Sequence, residues 1–393
     1  MADTRATFVS HKINKIRWRQ QQKQSLQESD IFASGSWDDE KNKVCLWKVE
    51  RQKALGGMMD DGGGTGYVES DPVILCEAPH RGDVTGLEYM GQDHIVASSS
   101  TGTITIYRHH TNSQTLGVSQ QWEKVHHHYG QLCPCTCLAI RDDVIVSSGE
   151  DGRVNIIQVG HKMPNRVIDK ADSCTVNSIT FLKQTEFITV NSTGQLKIFD
   201  LRTNSDEPTQ TLSVTGELTP LQCIDKHPSQ THIVATGGQD GVLGMWDLRH
   251  DKFPVSLMEA HSGTVWEVRF HPSAPDHLFT CSEDGCVWHW DGSQVNATPV
   301  GMMTGINQIT GTGAGSGGGN LSTPRQFQYG GSAVTTGLSN PWLATDIAKN
   351  KIEITSLLDQ KSLPINTIDV AGHTLLCGTD GETIFTMNLG SLR

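Results

Sequence analysis

One pattern of side chains recurs seven times along this chain, and the recurrence limits its possible folds more than any single motif. Each copy has an apolar run, a small or polar pair, a turn of Asp-Gly or Thr-Gly type, then a second apolar run. In order the copies are IFASGSWDDEKNKVCLWKV, HIVASSSTGTITIYR, VIVSSGEDGRVNIIQV, FITVNSTGQLKIFDLR, IVATGGQDGVLGMWDLR, LFTCSEDGCVWHWDGS and LLCGTDGETIFTMNL. Glycine between two alternating apolar runs marks a β-hairpin, because glycine enters the positive-φ region of a tight turn without steric cost. The turn glycines are Gly102, Gly152, Gly194, Gly241, Gly285 and Gly381, so successive gaps are 50, 42, 47, 44 and 96 residues. The first copy uses the longer DDEKNK loop instead.

Before most hairpins stands another short strand of V-x-x-V-x-F character, clearest in TVWEVRFHP at 264–272 and present in DVTGLEYM, TVNSITFLK and INTIDV. A histidine precedes it in AHSGTVW and PHRGDVT, and two copies end in Trp-Asp, at Trp246-Asp247 and Trp290-Asp291. This pattern resembles the WD-repeat family, whose units are four-stranded sheets around a central channel. The resemblance implies an all-β fold: a seven-bladed WD-repeat β-propeller forming a single domain over residues 1–393. Radial closure leaves few open sheet edges, which keeps so many short strands from pairing between molecules.

Two expectations follow for the ends of the ring. The last copy has no outer strand after TIFTMNL, so RATFVSHKI near the N-terminus is expected to supply it. KIEITSLL at 351–358 is expected to be the outer strand of the sixth blade. An eight-bladed ring is the alternative if the 96-residue gap hides a degenerate unit. Residues 51–70 and 293–341 read as loop insertions. The second is poor in charge and dense in Gly, Ser and Thr. Such composition cannot bury enough apolar area to offset ordering entropy, so 308–331 is expected to be disordered.

Composition excludes several classes. The net charge of −12 argues against general affinity for phosphate backbones, so no direct nucleic-acid binding is expected. Lys12, Lys15, Arg17 and Arg19 cluster near the start and read as a solvated strand face. No run of 18 apolar residues is present, so no membrane insertion is expected. The first 20 residues lack a signal-like apolar core, and ten cysteines without one imply free thiols in an intracellular setting.

The stretch HHHYGQLCPCTC at 126–137 looks most like a metal site. In an extended strand, alternate side chains lie roughly 6.5–7 Å apart. Two thiolates sharing one zinc at about 2.3 Å per bond must lie about 3.8 Å apart. Cys133, Cys135 and Cys137 therefore read as small hydrophobes of an inner strand, with His126, His127 and His128 in an exposed loop before it. Gly313, Gly315 and Gly318 match G-x-G-x-x-G formally, but they follow no strand and open no helix, so no dinucleotide site is expected. No metal, cofactor or small-molecule ligand is implied.

The WD-repeat resemblance also implies a structural network of a loop His, a strand Ser or Thr, a turn Asp and a strand Trp. The sixth blade matches through His261, Ser282 (or Thr280), Asp284 and Trp290. The fifth keeps Asp240 and Trp246, and the third keeps Asp151 with Ile157 where Trp would stand. These groups satisfy buried polar atoms, and no nucleophile elbow accompanies them, so no catalytic residue is expected. An enzyme in the channel would need convergent acids and bases on several inner strands, and no such set is legible.

FVSHKINKIRWR with FASGSWDDEKNKVCLW, and SLLDQKSLPINTIDV with LLCGTDGETIF, are similar to a WD-repeat nucleoporin of the Y-shaped scaffold of the nuclear pore. That resemblance implies a non-enzymatic scaffold subunit at the nuclear envelope. Its partners would be a helical-solenoid nucleoporin and other subunits of the complex. Roles in mRNA and protein transport, and at kinetochores in mitosis, are implied with it. The alternative is a peptide-reading adaptor, such as a ubiquitin-ligase substrate receptor or a histone-tail binder. For such a reader Arg81 and Trp266 are the candidate contacts on the loops before the inner strands. Deleting 308–331 should leave the thermal midpoint of the protein unchanged, measured by circular dichroism; a large fall would show that the insertion is part of the fold.

Overall fold

The computed structural model describes residues 3–20, 29–49, 51–53, 67–69, 71–214, 218–249, 253–295, 340–343, 351–359 and 362–390. Within them the chain forms seven four-stranded antiparallel sheets arranged as a seven-bladed β-propeller. The inner strands, one per blade, are Ile13–Trp18, Val84–Met90, Cys135–Arg141, Val176–Phe181, Leu221–Lys226, Val265–Phe270 and Ile365–Ala371. In the seventh blade the outer strand is Asp3–Phe8, which pairs antiparallel with Thr383–Asn388 from Asp3↔Asn388 to Phe8↔Thr383. The ring is thus closed by the N-terminus. In the sixth blade Glu353–Leu358 pairs with Val287–Asp291.

A single four-stranded sheet has two apolar faces and cannot stand alone, so the core lies between blades. Seven apolar clusters fill the seven junctions, each built from the facing sides of two neighbours. Between blades five and six, for example, Met245 and Leu243 meet Val268, Phe270 and Trp290. Fully burying one such side chain contributes roughly 1.5–3 kcal/mol, so a blade removed from its neighbours loses most of what holds it.

Five of the expected turn glycines, Gly102, Gly152, Gly194, Gly241 and Gly285, hold φ between +67° and +82°. Gly381 differs: the neighbouring Glu382 takes the left-handed conformation at +53°, and a Cβ on Gly381 would meet nothing nearer than 3.4 Å. At Gly102 a Cβ would lie 2.6 Å from the carbonyl oxygens of His126 and Cys133, so that turn requires glycine.

The region 51–70 contains a two-stranded ribbon, Arg51–Lys53 with Tyr67–Glu69. The expected disorder of 308–331 lies outside the described residues. At the far end of that insertion, Pro341–Leu343 forms a short 3-10 turn whose Trp342 is 1% exposed. Its indole donates to the Pro275 carbonyl at 2.9 Å and packs into the junction of blades five and six. The returning chain is therefore anchored by one aromatic residue.

The side chains of the closing strand are largely exposed, so its contribution rests on the ladder to Thr383–Asn388. Deleting residues 1–8 should lower the thermal midpoint by at least about 5 °C, read by differential scanning fluorimetry. An unchanged midpoint would mean that closure does not depend on this strand.

Candidate functional site

The inner strands share one irregularity. Each carries a β-bulge near its start, so that one residue has no direct partner on the second strand. The bulged residues, blade by blade, are Asn14, Thr85, Thr136, Asn177, Gln222, Trp266 and Asn366. A bulge re-aims its side chain, and here it aims at the next blade. Asn14 donates to the Val84 carbonyl at 2.6 Å, Asn177 to Leu221 at 2.8 Å and Asn366 to Ile13 at 3.0 Å. Thr85 and Thr136 donate likewise to the carbonyls of Cys135 and Val176. In each case the acceptor is the first residue of the neighbouring inner strand.

Two junctions are closed differently. From blade five to six, the Asp225 carboxylate accepts the Phe270 N–H at 2.9 Å. From six to seven, Glu267 accepts the Ile368 N–H at 3.0 Å and the Thr367 hydroxyl at 3.0 Å. Carboxylates thus reach the next blade where the bulge holds Gln222 and Trp266; at the five-six junction the Cys223 thiol also donates to the Val265 carbonyl at 3.5 Å.

The basic cluster read as a solvated face lies partly inside the channel. Lys12 does pair at the surface with Asp38, but Arg17 is only 7% exposed. Its guanidinium donates to both oxygens of Glu267, at 2.8 and 3.2 Å, and to Glu88 at 2.9 Å. Lys15 reaches Glu267 at 2.8 Å. The alternation of an inner strand explains the difference, because every second residue of blade one must face the channel. Burial alone would raise the Glu267 carboxyl, but Arg17, Lys15 and Arg269 outweigh it and hold the group far below the usual range. Burial pushes the Asp369 carboxyl up to about 6, against the pull of Arg269 and Arg17; it accepts the Trp18 N–H at 2.7 Å. Convergent acids and bases on several inner strands are therefore present, contrary to the sequence reading. Glu267 receives five hydrogen bonds, and none of its capacity is left for a substrate.

The sixth blade orders its polar residues into one relay. The Trp290 indole donates to Thr280 at 3.1 Å, and Thr280 meets His261 Nε2 at 2.8 Å. Since an indole only donates, the Thr280 hydroxyl hydrogen turns to Nε2 and leaves the imidazole proton on Nδ1, facing Asp284 at 3.1 Å. Burial lowers the His261 pKa, which keeps this tautomer neutral. Burial would raise the Asp284 carboxyl, but the N–H groups of Cys286 and Ser262, with His261, bring it below the usual range. Ser282 is not the bridging hydroxyl: it sits two residues too far along the strand and accepts the Asp284 N–H at 3.1 Å. In blade five Trp246 donates to Thr236 at 2.9 Å, while Asp240 accepts the Val242 N–H within its own turn.

The third blade carries a correction. His126 is fully buried rather than in an exposed loop. Its Nδ1 faces Asp151 at 3.0 Å and its Nε2 meets Ser147 at 3.0 Å and Asn155 at 3.1 Å. Ile157 fills the tryptophan position, and Asn155 supplies the polar contact instead. His127 and His128 start a small ribbon with Gln131–Leu132, at whose tip Tyr129 is 95% exposed with φ of +47°. Cys135 and Cys137 flank the bulge and enter opposite junctions, two-three and three-four. Burial raises the Cys135 thiol well above its usual value and that of Cys137 to about 12. Among the described residues no three His, Cys, Asp or Glu side chains are placed to hold a metal.

Arg81 is exposed on the loop before blade two. Trp266 is half-buried against the apolar cluster at the junction of blades six and seven, and its indole N–H meets no acceptor among the described residues. The structure does not bring these two together with any shared group. Replacing Glu267→Gln should lower the unfolding free energy by about 3–5 kcal/mol, because it strands Arg17 and Lys15 inside the channel. Urea denaturation followed by tryptophan fluorescence measures this; a loss below about 1 kcal/mol would place the pair among weak surface bridges.

Residues 207–247 and 252–291 match the family described as WD domain, G-beta repeat. The chain is 47% identical over 392 residues to human nucleoporin Nup43, covering 98% of both chains, and equally to the mouse protein. A nuclear pore complex protein nup43 of Dictyostelium discoideum is 30% identical over 169 residues, 43% of this chain and 40% of its own. With these repeats, this closed ring and identity running over nearly its whole length, the chain belongs to the Nup43 family of WD-repeat nucleoporins.

Proposed function

We propose that the protein is a non-enzymatic scaffold subunit of the nuclear pore complex, built into its Y-shaped outer-ring subcomplex. The observation that carries this is the identity of 47% across 98% of the chain to nucleoporins that share its full length. The channel chemistry supports it. Glu267, Arg17 and Lys15 are consumed by one another, and the His261 and His126 networks end in tryptophan, threonine, serine and asparagine rather than at an open cleft. A ring whose polar groups are turned inward is suited to hold a shape.

On this reading the subunit docks on a helical-solenoid nucleoporin, supports mRNA and protein traffic through the pore, and accompanies the complex to kinetochores in mitosis. These finer roles rest on the family resemblance. For the docking contact, Tyr129 is the favoured side chain: it is 95% exposed at the tip of a short ribbon, and tyrosine is a common interface anchor.

Purification of the tagged native protein at high salt, with identification of what stays bound, should recover pore scaffold subunits. The variant Tyr129→Ala should retain less of them at an unchanged melting temperature. Recovery of a cullin-type ligase without pore subunits would favour the adaptor reading, with exposed Arg81 as its remaining contact, and would overturn the proposal.

A further inference from the structure

The channel contains a cavity of about 230 Å3 lined by Lys15, Arg17, Arg141, Lys226 and Arg269, with Glu88 and Glu267 as its acidic residues. Five cations face two carboxylates. Asp225 and Asp369 stand nearby, but they accept the backbone N–H groups of Phe270 and Trp18. Even with both counted as fully charged, the cluster keeps a net positive charge inside a protein whose net charge is −12.

The excess lies on one side. Glu267 serves Arg17 and Lys15, while Glu88 serves Arg17 and, at 3.5 Å, Arg269. Among the described residues Arg141 and Lys226 make no ion pair with any carboxylate. Arg141 lies over the Phe181 ring at 5.6 Å, and Lys226 reaches only the Leu182 carbonyl at 3.4 Å. Burial, together with the nearby Arg141, outweighs the Asp225 carboxylate and brings the Lys226 amine down to about 8. Two cations held together in a half-buried wall repel each other unless an anion lies between them.

We propose that this cavity is an anion site that takes a compact polyphosphate, held by Arg141, Lys226 and Arg269. Guanidinium groups match phosphate oxygens with paired donors, and the low-dielectric wall strengthens each contact. The volume is below the roughly 300–1,000 Å3 of drug-sized pockets, which suits a short polyphosphate better than a nucleotide. The ligand would also do structural work, because it joins blades three, five and six across the channel. The carboxylate contacts described in the channel run from blade five through six, seven and one to two, and reach neither blade three nor blade four.

The test uses the full-length protein and sodium tripolyphosphate. Titration calorimetry at about 0.15 M salt should show one saturable site, and the melting temperature should rise with ligand concentration. The double variant Arg141→Gln, Lys226→Gln should bind at least about tenfold more weakly. Its ligand-free melting temperature should equal or exceed that of the wild type, since a repulsion is removed. If it melts lower, the charge-keeping variant Arg141→Lys, Lys226→Arg decides: retained binding supports the site and lost binding overturns it. No saturable heat, or equal binding by the double glutamine variant, overturns it as well. Tighter binding of a hexaglutamate peptide than of tripolyphosphate would assign the cations to an acidic protein segment and end the polyphosphate proposal.

Discussion

One extra residue at the start of each inner strand is what turns seven separate sheets into a ring. In a regular strand the side chains simply alternate between two faces. With the bulge, Asn14, Thr85, Thr136, Asn177 and Asn366 reach across to the first carbonyl of the next inner strand. That carbonyl belongs to the first paired residue of its ladder, and each such hydrogen bond is worth about 1 kcal/mol net. The apolar clusters supply the larger share of the free energy between blades, but they are non-directional. The bulge contacts set the angle at which neighbours meet.

The two exceptions explain why charge is concentrated where it is. At Gln222 and Trp266 the side chain at the bulge is not the one that bridges: Asp225 and Glu267 take backbone N–H groups of the next blade, as Asp369 also does beside Asn366, and the Cys223 thiol reaches the Val265 carbonyl. A buried carboxylate is costly unless it is matched. Arg17 and Lys15 on blade one match Glu267, and Arg17 continues to Glu88 on blade two. The ion cluster thus follows from how two junctions are closed, and its geometry brings together groups that resemble a catalytic set. The hydrogen-bond count at Glu267 distinguishes the two readings.

Much of the fold was legible because the signals are local. A glycine turn between apolar runs names a hairpin, and the missing outer strand after TIFTMNL points to the N-terminus. The site was less legible because it depends on contacts distant in sequence. Arg17 and Glu267 are 250 residues apart, and only the alternation of Ile13–Trp18 hinted that Lys15 and Arg17 share a face. His126 was hidden by its neighbours: three consecutive histidines suggest a loop, yet only the first turns inward to Asp151. Trp342 follows a Gly-rich stretch that carries no periodicity, so nothing marked it as a core residue. Gly381 failed for a subtler reason, since a Thr-Asp-Gly-Glu turn can place its left-handed residue one position later.

The degeneracy of the repeats has a physical origin. Only residues 207–247 and 252–291 match the repeat family, and these hold the two tryptophans that donate to a threonine on the neighbouring strand. Blade one repeats the arrangement with Trp47 donating to Ser34 at 2.8 Å, and the remaining blades place polar groups behind the turn with different side chains. Blade three uses His126, Ser147 and Asn155 around Asp151. Blade four sets Asn191 against Asp172 at 2.8 Å, and blade seven sets Asn366 against Asp380 at 2.7 Å. Blade two pairs His80 with the Tyr107 hydroxyl at 2.9 Å. Each solution is local to its blade and needs little agreement with the others, because the apolar cluster on each side of a blade involves only one neighbour. Sequence can therefore drift blade by blade while the ring stays closed, provided that each junction keeps one directional contact beside its apolar cluster.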